Sequence, residues 1–138
     1  GYLPEALLNY LVRLGWSKDD QEIFSVDEMI SEFDLIDVNK SASSINPKKL
    51  IWLNQHYLKH YDNKLLANML NNFFDDINVS PDSGPNLDNL VSVQKQRAET
   101  IKEIAEKSIF FYKDFENYDM NLAENSPQIK VAFHFPTK

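Results

Sequence analysis

The sequence predicts an all-α fold, and three observations carry this prediction. Apolar residues recur at spacings of three and four along most of the chain, which is the period of an amphipathic helix. Signals that open helices, such as Asn46-Pro47, precede several of these stretches. The alternation typical of a strand appears near the end of the chain, in residues 128–135, where it predicts a lone strand or an ordered tail.

Composition bounds the size and class of the protein. The chain has 138 residues, of which 43% are hydrophobic and 25% are charged, as in ordinary globular proteins. This length holds one domain or two small ones and excludes a complete multidomain enzyme. The net charge of −7 argues against a uniformly basic surface, but it permits a local basic patch that binds phosphates.

Residue types and segments that the sequence lacks exclude further kinds of site. Without cysteine, the chain has no disulfide, no thiolate metal site and no cysteine nucleophile. No run approaches the roughly 20 apolar residues of a membrane span, and the first residues lack the pattern of a signal peptide, so we expect a cytoplasmic protein. Because the chain does not begin with Met and a helix already begins at Pro4, we expect a piece of a longer polypeptide.

Two helices are predicted in the first third of the chain. Pro4 suits the first position of a helix that ends at Gly15. Its apolar residues recur at Leu3, Leu7, Leu11 and Leu14. Ser25 and Glu28 have the spacing of a capping box, which predicts a short helix that continues to about Phe33.

Two more helices are predicted in the middle of the chain. Asn46-Pro47 opens a helix that runs to about His60, and residues 64–76 again show helical periodicity. Between them, Tyr61-Asp62-Asn63 marks a seam near residues 61–65. Residues 80–85 are turn formers without periodic apolar residues, so we expect a loop there.

The last helical pattern is the longest. Apolar residues between Leu87 and Tyr112 trace one face of a single helix of about seven turns. Its other face alternates in charge, and the order of Glu103 and Lys107 favours an i,i+4 ion pair.

No catalytic or metal-binding residue is predicted. The three glycines are far apart and belong to no phosphate-binding loop. His56 and His60 have the spacing of a metal pair, but Tyr57 stands where a zinc protease has its glutamate, so we interpret both histidines as partly exposed side chains. The adjacent aspartates at 19–20 and 75–76 are interpreted as solvated carboxylates, and Ser41, Ser43 and Ser44 have no histidine base nearby in the sequence.

Aromatic and basic residues are the remaining candidates for binding. The pairs Phe73-Phe74 and Phe110-Phe111 are either platforms for base stacking or core residues, and their helical register favours the core. Positive charge concentrates around the third helix and the seam, where it is either solvated or contacts phosphates. Its members are Lys48, Lys49, Lys59 and Lys64, followed by Arg97 and Lys102.

Four segments carry a resemblance to a known family. Residues 1–17, GYLPEALLNYLVRLGWS, closely resemble a block in bacterial glutamyl-tRNA synthetases. Further segments resemble landmarks of that family in the expected order: residues 20–25 (DQEIFS), residues 49–54 (KLIWLN) with Tyr57, and residues 96–105 (QRAETIKEIA). The resemblance covers residues 1–120 and weakens after Tyr118.

The resemblance implies a carboxy-terminal part of a class I synthetase that joins glutamate to its tRNA. The whole enzyme uses ATP and Mg²⁺, whereas this piece is expected to need no cofactor and to be non-catalytic, because the class I signatures His-Ile-Gly-His and Lys-Met-Ser-Lys-Ser are absent. Residues 1–63 would form the stem-contact region, and residues 64–138 the first helical anticodon-binding subdomain.

The resemblance also implies a partner and a set of contacts. The expected partner is tRNA-Glu, with tRNA-Gln as a second candidate and with no DNA or membrane, and the expected state is a monomer. The predicted tRNA-binding residues are Lys48, Lys49, Asn54, Lys64, Arg97 and Lys102.

The sequence departs from the family pattern in two places, and two other functions are alternatives to tRNA binding. Lys18-Asp19 replaces the His-Gly or Arg-Gly of many relatives, and a second anticodon-binding subdomain is missing or truncated. An independent helical module that binds a protein and no tRNA also fits the acidic charge and the lack of catalytic groups. A small hydrolase would need a nucleophile and base pair that the sequence does not supply.

Overall fold

A computed structural model describes residues 1–40 and 44–113 of the chain, and this part is all-α, as predicted. The helices are α1 (Pro4–Gly15), α2 (Val26–Glu32), α3 (Pro47–His60), α4 (Asn63–Asp76), α5 (Leu87–Gln94) and α6 (Ile101–Ser108). Short 3₁₀ turns lie at Leu35–Asp37, Pro81–Ser83 and Ile109–Phe111. The alternating segment 128–135 lies outside the described residues, as do Ser41 and Ser43. Within the described residues, no helix has the length and apolar character needed to span a bilayer.

The helix ends follow the signals in the sequence. Pro4 occupies the start of α1, and Gly15 is its last residue. The capping box of α2 is complete, since Ser25 Oγ accepts a hydrogen bond from the backbone N–H of Glu28 and the Glu28 carboxylate accepts one from the N–H of Ser25. Asn46 caps α3 with its side-chain oxygen. These predicted boundaries are therefore confirmed to within a residue or two.

The predicted long helix over residues 87–112 is wrong, because the chain breaks between α5 and α6. Residues 95–100 leave the helix, and Thr100 starts a new one by accepting a hydrogen bond from the backbone N–H of Glu103. The Glu103 carboxylate in turn accepts from the N–H of Glu99 at 2.5 Å. The spacing of Thr100 and Glu103 is the sequence signal for this helix start, and the continuous apolar face concealed it.

Backbone groups freed by this break bind other parts of the chain. Asn54 Nδ2 on α3 donates to the carbonyl oxygen of Glu99 at 2.5 Å, and the N–H of Ile101 donates to the carbonyl oxygen of Gly1 at 3.0 Å. Asn54 Oδ1 also accepts from the N–H of Leu3 at 2.8 Å. At the break, these backbone groups form no hydrogen bonds within a helix. They instead form bonds that join the amino terminus, α3 and the α5–α6 connection.

The main core spans the predicted seam. The break itself is present, since α3 ends at His60 and α4 begins at Asn63 with Asp62 as its cap. Residues from both sides nevertheless pack together. The buried members are Leu3, Ala6, Leu58, Leu66, Ala67, Leu70, Phe74, Val79, Leu90, Val91, Ala98, Ile101, Ile104, Ala105 and Tyr112. A smaller cluster under α1 and α2 contains Trp16, Phe24 and Met29.

A second buried asparagine holds this smaller cluster to α1. Asn9 is fully buried, its Oδ1 accepts from the backbone N–H of Phe24 at 2.7 Å, and its Nδ2 donates to the carbonyl oxygen of Glu22 at 2.9 Å. The Tyr57 hydroxyl of α3 lies 2.8 Å from Asn9 Oδ1. Asn9 thus fixes the loop between α1 and α2, which carries Glu22.

Replacing Asn54 by Ala should destabilise the fold strongly. Two backbone groups, Leu3 N–H and Glu99 C=O, would lose their partner, and a buried group without a partner costs about 1–3 kcal/mol, so we expect a total of about 2–5 kcal/mol. Urea denaturation of the variant measures this loss. Asn68→Ala, at an exposed position on α4, is the control and should change the free energy of unfolding by less than about 0.5 kcal/mol. A loss below about 1 kcal/mol for Asn54→Ala would contradict this role.

Replacing Thr100 by Ala should loosen the start of α6. The variant loses the cap on the Glu103 N–H, a change that costs about 1 kcal/mol, whereas Thr100→Ser keeps the hydroxyl and most of the stability. Thermal unfolding of both variants tests the prediction. If Ser and Ala are equally destabilising, the hydroxyl does not determine the break.

Candidate nucleic-acid interface

Three of the predicted contact residues are exposed and form no ion pair within the described part of the chain. Lys48 lies in the first turn of α3, Lys64 lies in the first turn of α4, and Arg97 lies in the connection between α5 and α6. Their charges are available to a phosphate without the loss of an existing pair.

The starts of α3 and α4 add to this positive potential. Neither helix has an acidic residue in its first turn, and a helix amino terminus carries a partial positive charge of its own. Lysines at this end are unfavourable for an isolated helix, because like charges lie close together. Lys48 and Lys49 therefore form a local concentration of positive charge at the start of α3, whereas the Asp62 cap offsets the charge of Lys64 at the start of α4.

Two further predicted residues are ion-paired. Lys49 Nζ lies 2.7 Å from Glu22 Oε2, and Lys102 Nζ lies 3.7 Å from Glu106 Oε1. The side chains of Lys102 and Glu106 are both exposed, so water screens this pair and it contributes little stability. Lys102 can therefore leave Glu106 for another anion at little cost. The shorter ion pair holds Lys49 more closely to Glu22.

The structure corrects the prediction for Asn54. This side chain is fully buried, and its amide groups bind the backbone of Leu3 and Glu99. A residue in this position has no surface to offer to a nucleic acid. We therefore assign Asn54 a structural role.

A cavity beside Arg97 is lined by Phe110, one member of the second aromatic pair. It has a volume of about 360 Å³ and is lined by Gln94, Arg97, Ala98, Ile104, Lys107 and Phe110. Phe110 and Phe111 are 52% and 42% exposed, so the prediction that this pair is in the core is wrong, because the 3₁₀ turn Ile109–Phe111 rotates both rings outward. Phe74, from the first pair, is fully buried as predicted.

The two histidines of α3 lie against one another. The ring centroids of His56 and His60 are 4.5 Å apart, and His60 Nδ1 lies 2.8 Å from the carbonyl oxygen of His56. Burial lowers the pKa of His56, and the neighbouring His60 and Lys59 lower it further. Residues 1–40 and 44–113 contain no group of three or more side chains suited to a metal ion.

Arg13 is a basic residue that the sequence analysis did not select. Its Nη2 lies 3.1 Å from Glu22 Oε1, so Glu22 pairs with both Arg13 and Lys49. The hydrogen bond from Lys49 lowers the pKa of Glu22 below its ordinary value of 4.5, and Arg13 lowers it further. Nothing in the sequence places residue 13 next to residue 49. The one available signal is that Arg13 and Arg97 are the only arginines of the chain.

Comparison with known proteins identifies the family. Residues 1–52 match the family model for the catalytic domain of class I tRNA synthetases (E and Q), and residues 65–132 match an anticodon binding domain. A glutamate–tRNA ligase 1 from Alkalilimnicola ehrlichii is 48% identical over 134 residues, which is 96% of this chain. The chain is homologous to glutamate–tRNA ligases over almost its whole length. This confirms the resemblance found in the sequence.

Solved structures of glutamate–tRNA ligases share the fold. A crystal structure of the Elizabethkingia meningosepticum enzyme in complex with its amino acid is 34% identical, with a TM-score of 0.72 over 96% of this chain and 27% of that one. The Elizabethkingia anophelis enzyme is 35% identical, with a TM-score of 0.70 over 90% of this chain and 25% of that one. The chain spans 28% of the length of the A. ehrlichii ligase.

The lowered pKa of Glu22 predicts how stability depends on pH. Because the folded state binds this proton more weakly than the unfolded state, the stabilisation is fully present above about pH 4.5 and is lost as the pH falls through the folded-state pKa. Urea denaturation between about pH 7 and pH 3 should therefore show a smaller loss of stability for Glu22→Gln than for the unmodified protein.

Two lysine variants control this measurement. Lys49→Ala removes the donor with the largest effect on Glu22, so it should also reduce the dependence on pH. Lys48→Ala changes the neighbouring lysine, which has no ion pair in the described part of the chain, and should keep the full dependence. Identical curves for all four proteins would rule out the cluster as the cause.

Proposed function

We propose that this chain is a tRNA-binding part of a ligase that attaches glutamate to tRNA-Glu in an ATP-dependent reaction. The observation that carries the proposal is the 48% identity to a glutamate–tRNA ligase over almost the whole chain, together with the match to an anticodon binding domain. The chain itself would position tRNA without catalysing the reaction.

The two halves of the chain would contact different parts of the tRNA. We assign the stems to residues 1–63 and the anticodon side to residues 64–138. A boundary in this part of the chain agrees with the family models, since the catalytic-domain model ends at residue 52 and the anticodon binding domain model begins at residue 65. The break between α3 and α4 falls between these two limits.

Binding would rest on phosphate contacts from the exposed cations. Lys48 and Lys64 lie at helix starts without acidic neighbours in the first turn, and Arg97 lies in the α5–α6 connection. Lys49 and Lys102 would exchange a carboxylate for a phosphate. Such contacts fix the register and orientation of the RNA, and they do not read its sequence. The acidic remainder of the surface repels RNA and so confines binding to these cations.

The cavity beside Arg97 would serve the anticodon side. Phe110 presents a half-exposed ring on which an unpaired base can stack, and the Arg97 and Lys107 side chains line the same cavity. Lys107 is paired with Glu103 at 2.5 Å, which leaves Arg97 as the available cation of this cavity.

The described residues do not fit ATP or Mg²⁺. The sequence contains no glycine-rich phosphate loop, and the described part contains no cluster of three potential metal ligands. We derive no chemical step from these residues. We assign the activation of glutamate to parts of the ligase outside this chain, which spans 28% of the length of the A. ehrlichii ligase, and we place the ligase in the cytoplasm.

The partner would be tRNA-Glu, with tRNA-Gln as the second candidate, bound to a monomer. Phosphate contacts do not distinguish the two tRNAs, because their backbones are chemically alike. Discrimination would require base contacts on the anticodon side, where the Arg97 cavity lies.

Binding to a tRNA-Glu transcript over a series of salt concentrations tests this function. We expect affinity to fall as salt rises, and each of Lys48→Ala, Lys64→Ala and Arg97→Ala should weaken binding and lower the salt slope by about 1. Lys18→Ala is the matched control, because Lys18 lies in the loop after α1, pairs with Glu32 at the end of α2 and belongs to neither the start of α3 nor that of α4.

Two outcomes would contradict the proposal. Absence of tRNA binding at low salt would favour the independent helical module that binds a protein. If tRNA binds and Lys18→Ala weakens its affinity as much as Arg97→Ala does, the protein attracts RNA without a defined contact face.

A further inference from the structure

We propose that the cavity between α1 and the start of α3 is a binding site for a phosphate group, with Arg13 and Lys49 as its cationic ligands. The proposal assigns a contact to Arg13, which belongs to no predicted site. It rests on the proposed function in one respect: we take the phosphate to come from the backbone of the bound RNA.

The cavity has the size of a small anion site. Its volume is about 260 Å³, and it is lined by Tyr10, Arg13, Leu14, Ser44, Asn46 and Lys49. Sites for drug-sized ligands are typically about 300–1,000 Å³, so this cavity suits one phosphate group and part of its attached sugar. Two of its six lining residues are cations, and none is an acid.

Arg13 has hydrogen-bond donors to spare. Its side chain is only 13% exposed, and Nη2 is bound to Glu22. Nε and Nη1 are both buried and have no partner in the described structure. Buried donors of a charged group are costly when they are unpaired, and a phosphate oxygen is a strong acceptor for a guanidinium. An anion in this cavity would supply the missing acceptor once the Arg13 side chain turns these donors toward it.

The backbone N–H groups at the start of α3 already have hydrogen-bond acceptors within the protein. Asn46 Oδ1 accepts from the N–H groups of Lys48 at 3.1 Å and Lys49 at 3.3 Å. The N–H of Asn46 itself donates to the Tyr10 hydroxyl at 2.6 Å. The anion would therefore be held by side chains, which makes its affinity sensitive to substitution of Arg13 and Lys49.

Glu22 is the internal competitor for the site. It pairs with both cations, so Arg13, Glu22 and Lys49 together carry a net charge of +1. A bound phosphate shares the two cations with this carboxylate and is repelled by it. Removal of the Glu22 charge should therefore strengthen anion binding. An ion-pair cluster with a purely structural role predicts a loss of stability and no change in anion affinity.

Titration with inorganic phosphate at constant ionic strength tests the site directly. The readouts are the NMR signals of the Arg13 Nε–H and of the backbone amides of residues 46–49. We expect Glu22→Gln to raise phosphate affinity by about tenfold and Arg13→Gln to lower it by about tenfold, the size of one charge-assisted interaction. Circular dichroism establishes that each variant is folded.

A matched variant separates the site from a general effect of charge. Glu32→Gln also removes one carboxylate from an ion pair of 2.7 Å, that of Lys18 and Glu32, and this pair does not line the cavity. Its phosphate affinity should stay within about twofold of that of the unmodified protein. Equal gains for Glu22→Gln and Glu32→Gln, or no response of the signals to phosphate in the unmodified protein and Glu22→Gln, would overturn the proposal.

Binding of tRNA-Glu by the same variants identifies the source of the phosphate. A gain for Glu22→Gln and a loss for Arg13→Gln would support an RNA phosphate in the cavity. If inorganic phosphate binds and tRNA affinity does not respond, the site takes a free anion, and the assignment to RNA is overturned while the proposed function stands. If phosphate binds and tRNA does not bind at all, the proposed function itself fails.

Discussion

Two hydrogen bonds of the buried Asn54 side chain join three segments of the chain that are distant in sequence. They attach the amino-terminal segment at Leu3 and the α5–α6 connection at Glu99 to α3, and the bond from Ile101 N–H to the Gly1 carbonyl closes the same junction. The main core adjoins this junction, because Leu3, Ala98 and Ile101 belong to it. Since the α5–α6 connection also carries Arg97, one buried amide positions a core and an exposed cation together.

Electrostatics explains how an acidic protein can present a local region of positive potential. The chain carries a net charge of −7, yet α3 begins without an acidic residue, so its helix dipole and the lysines there add their positive potentials, whereas the Asp62 cap offsets Lys64 at the start of α4. Elsewhere lysines are neutralised locally, as in the pair of Lys107 and Glu103. Net charge is therefore a poor guide to this interface, because phosphate contacts depend on potential within about 10 Å.

The candidate interface was predicted only in part from the sequence. Exposed cations such as Lys48 follow from a helix start and an adjacent lysine, both of which are local features. Asn54 was misassigned, because a polar residue on a helix is ordinarily exposed and only the approach of two distant backbone segments makes it a buried ligand. Arg13 was missed for the converse reason, since its pairing with Glu22 and its place beside Lys49 exist only in the folded chain. Phe110 was assigned to the core because a 3₁₀ turn was not expected.

The helical class, most helix boundaries and the resemblance to glutamate–tRNA ligases followed from the sequence alone. Periodicity, caps and prolines act over one or two turns, so they are visible without the fold, as at Pro4 and in the capping box of Ser25. The position of the break in the last helical stretch and the burial of particular polar groups depend on contacts that exist in the folded chain. At the break, the backbone of Glu99 and Ile101 is satisfied by Asn54 and Gly1. Such bonds join residues more than forty positions apart, and a buried polar group must be satisfied even where a local pattern favours a continuous helix.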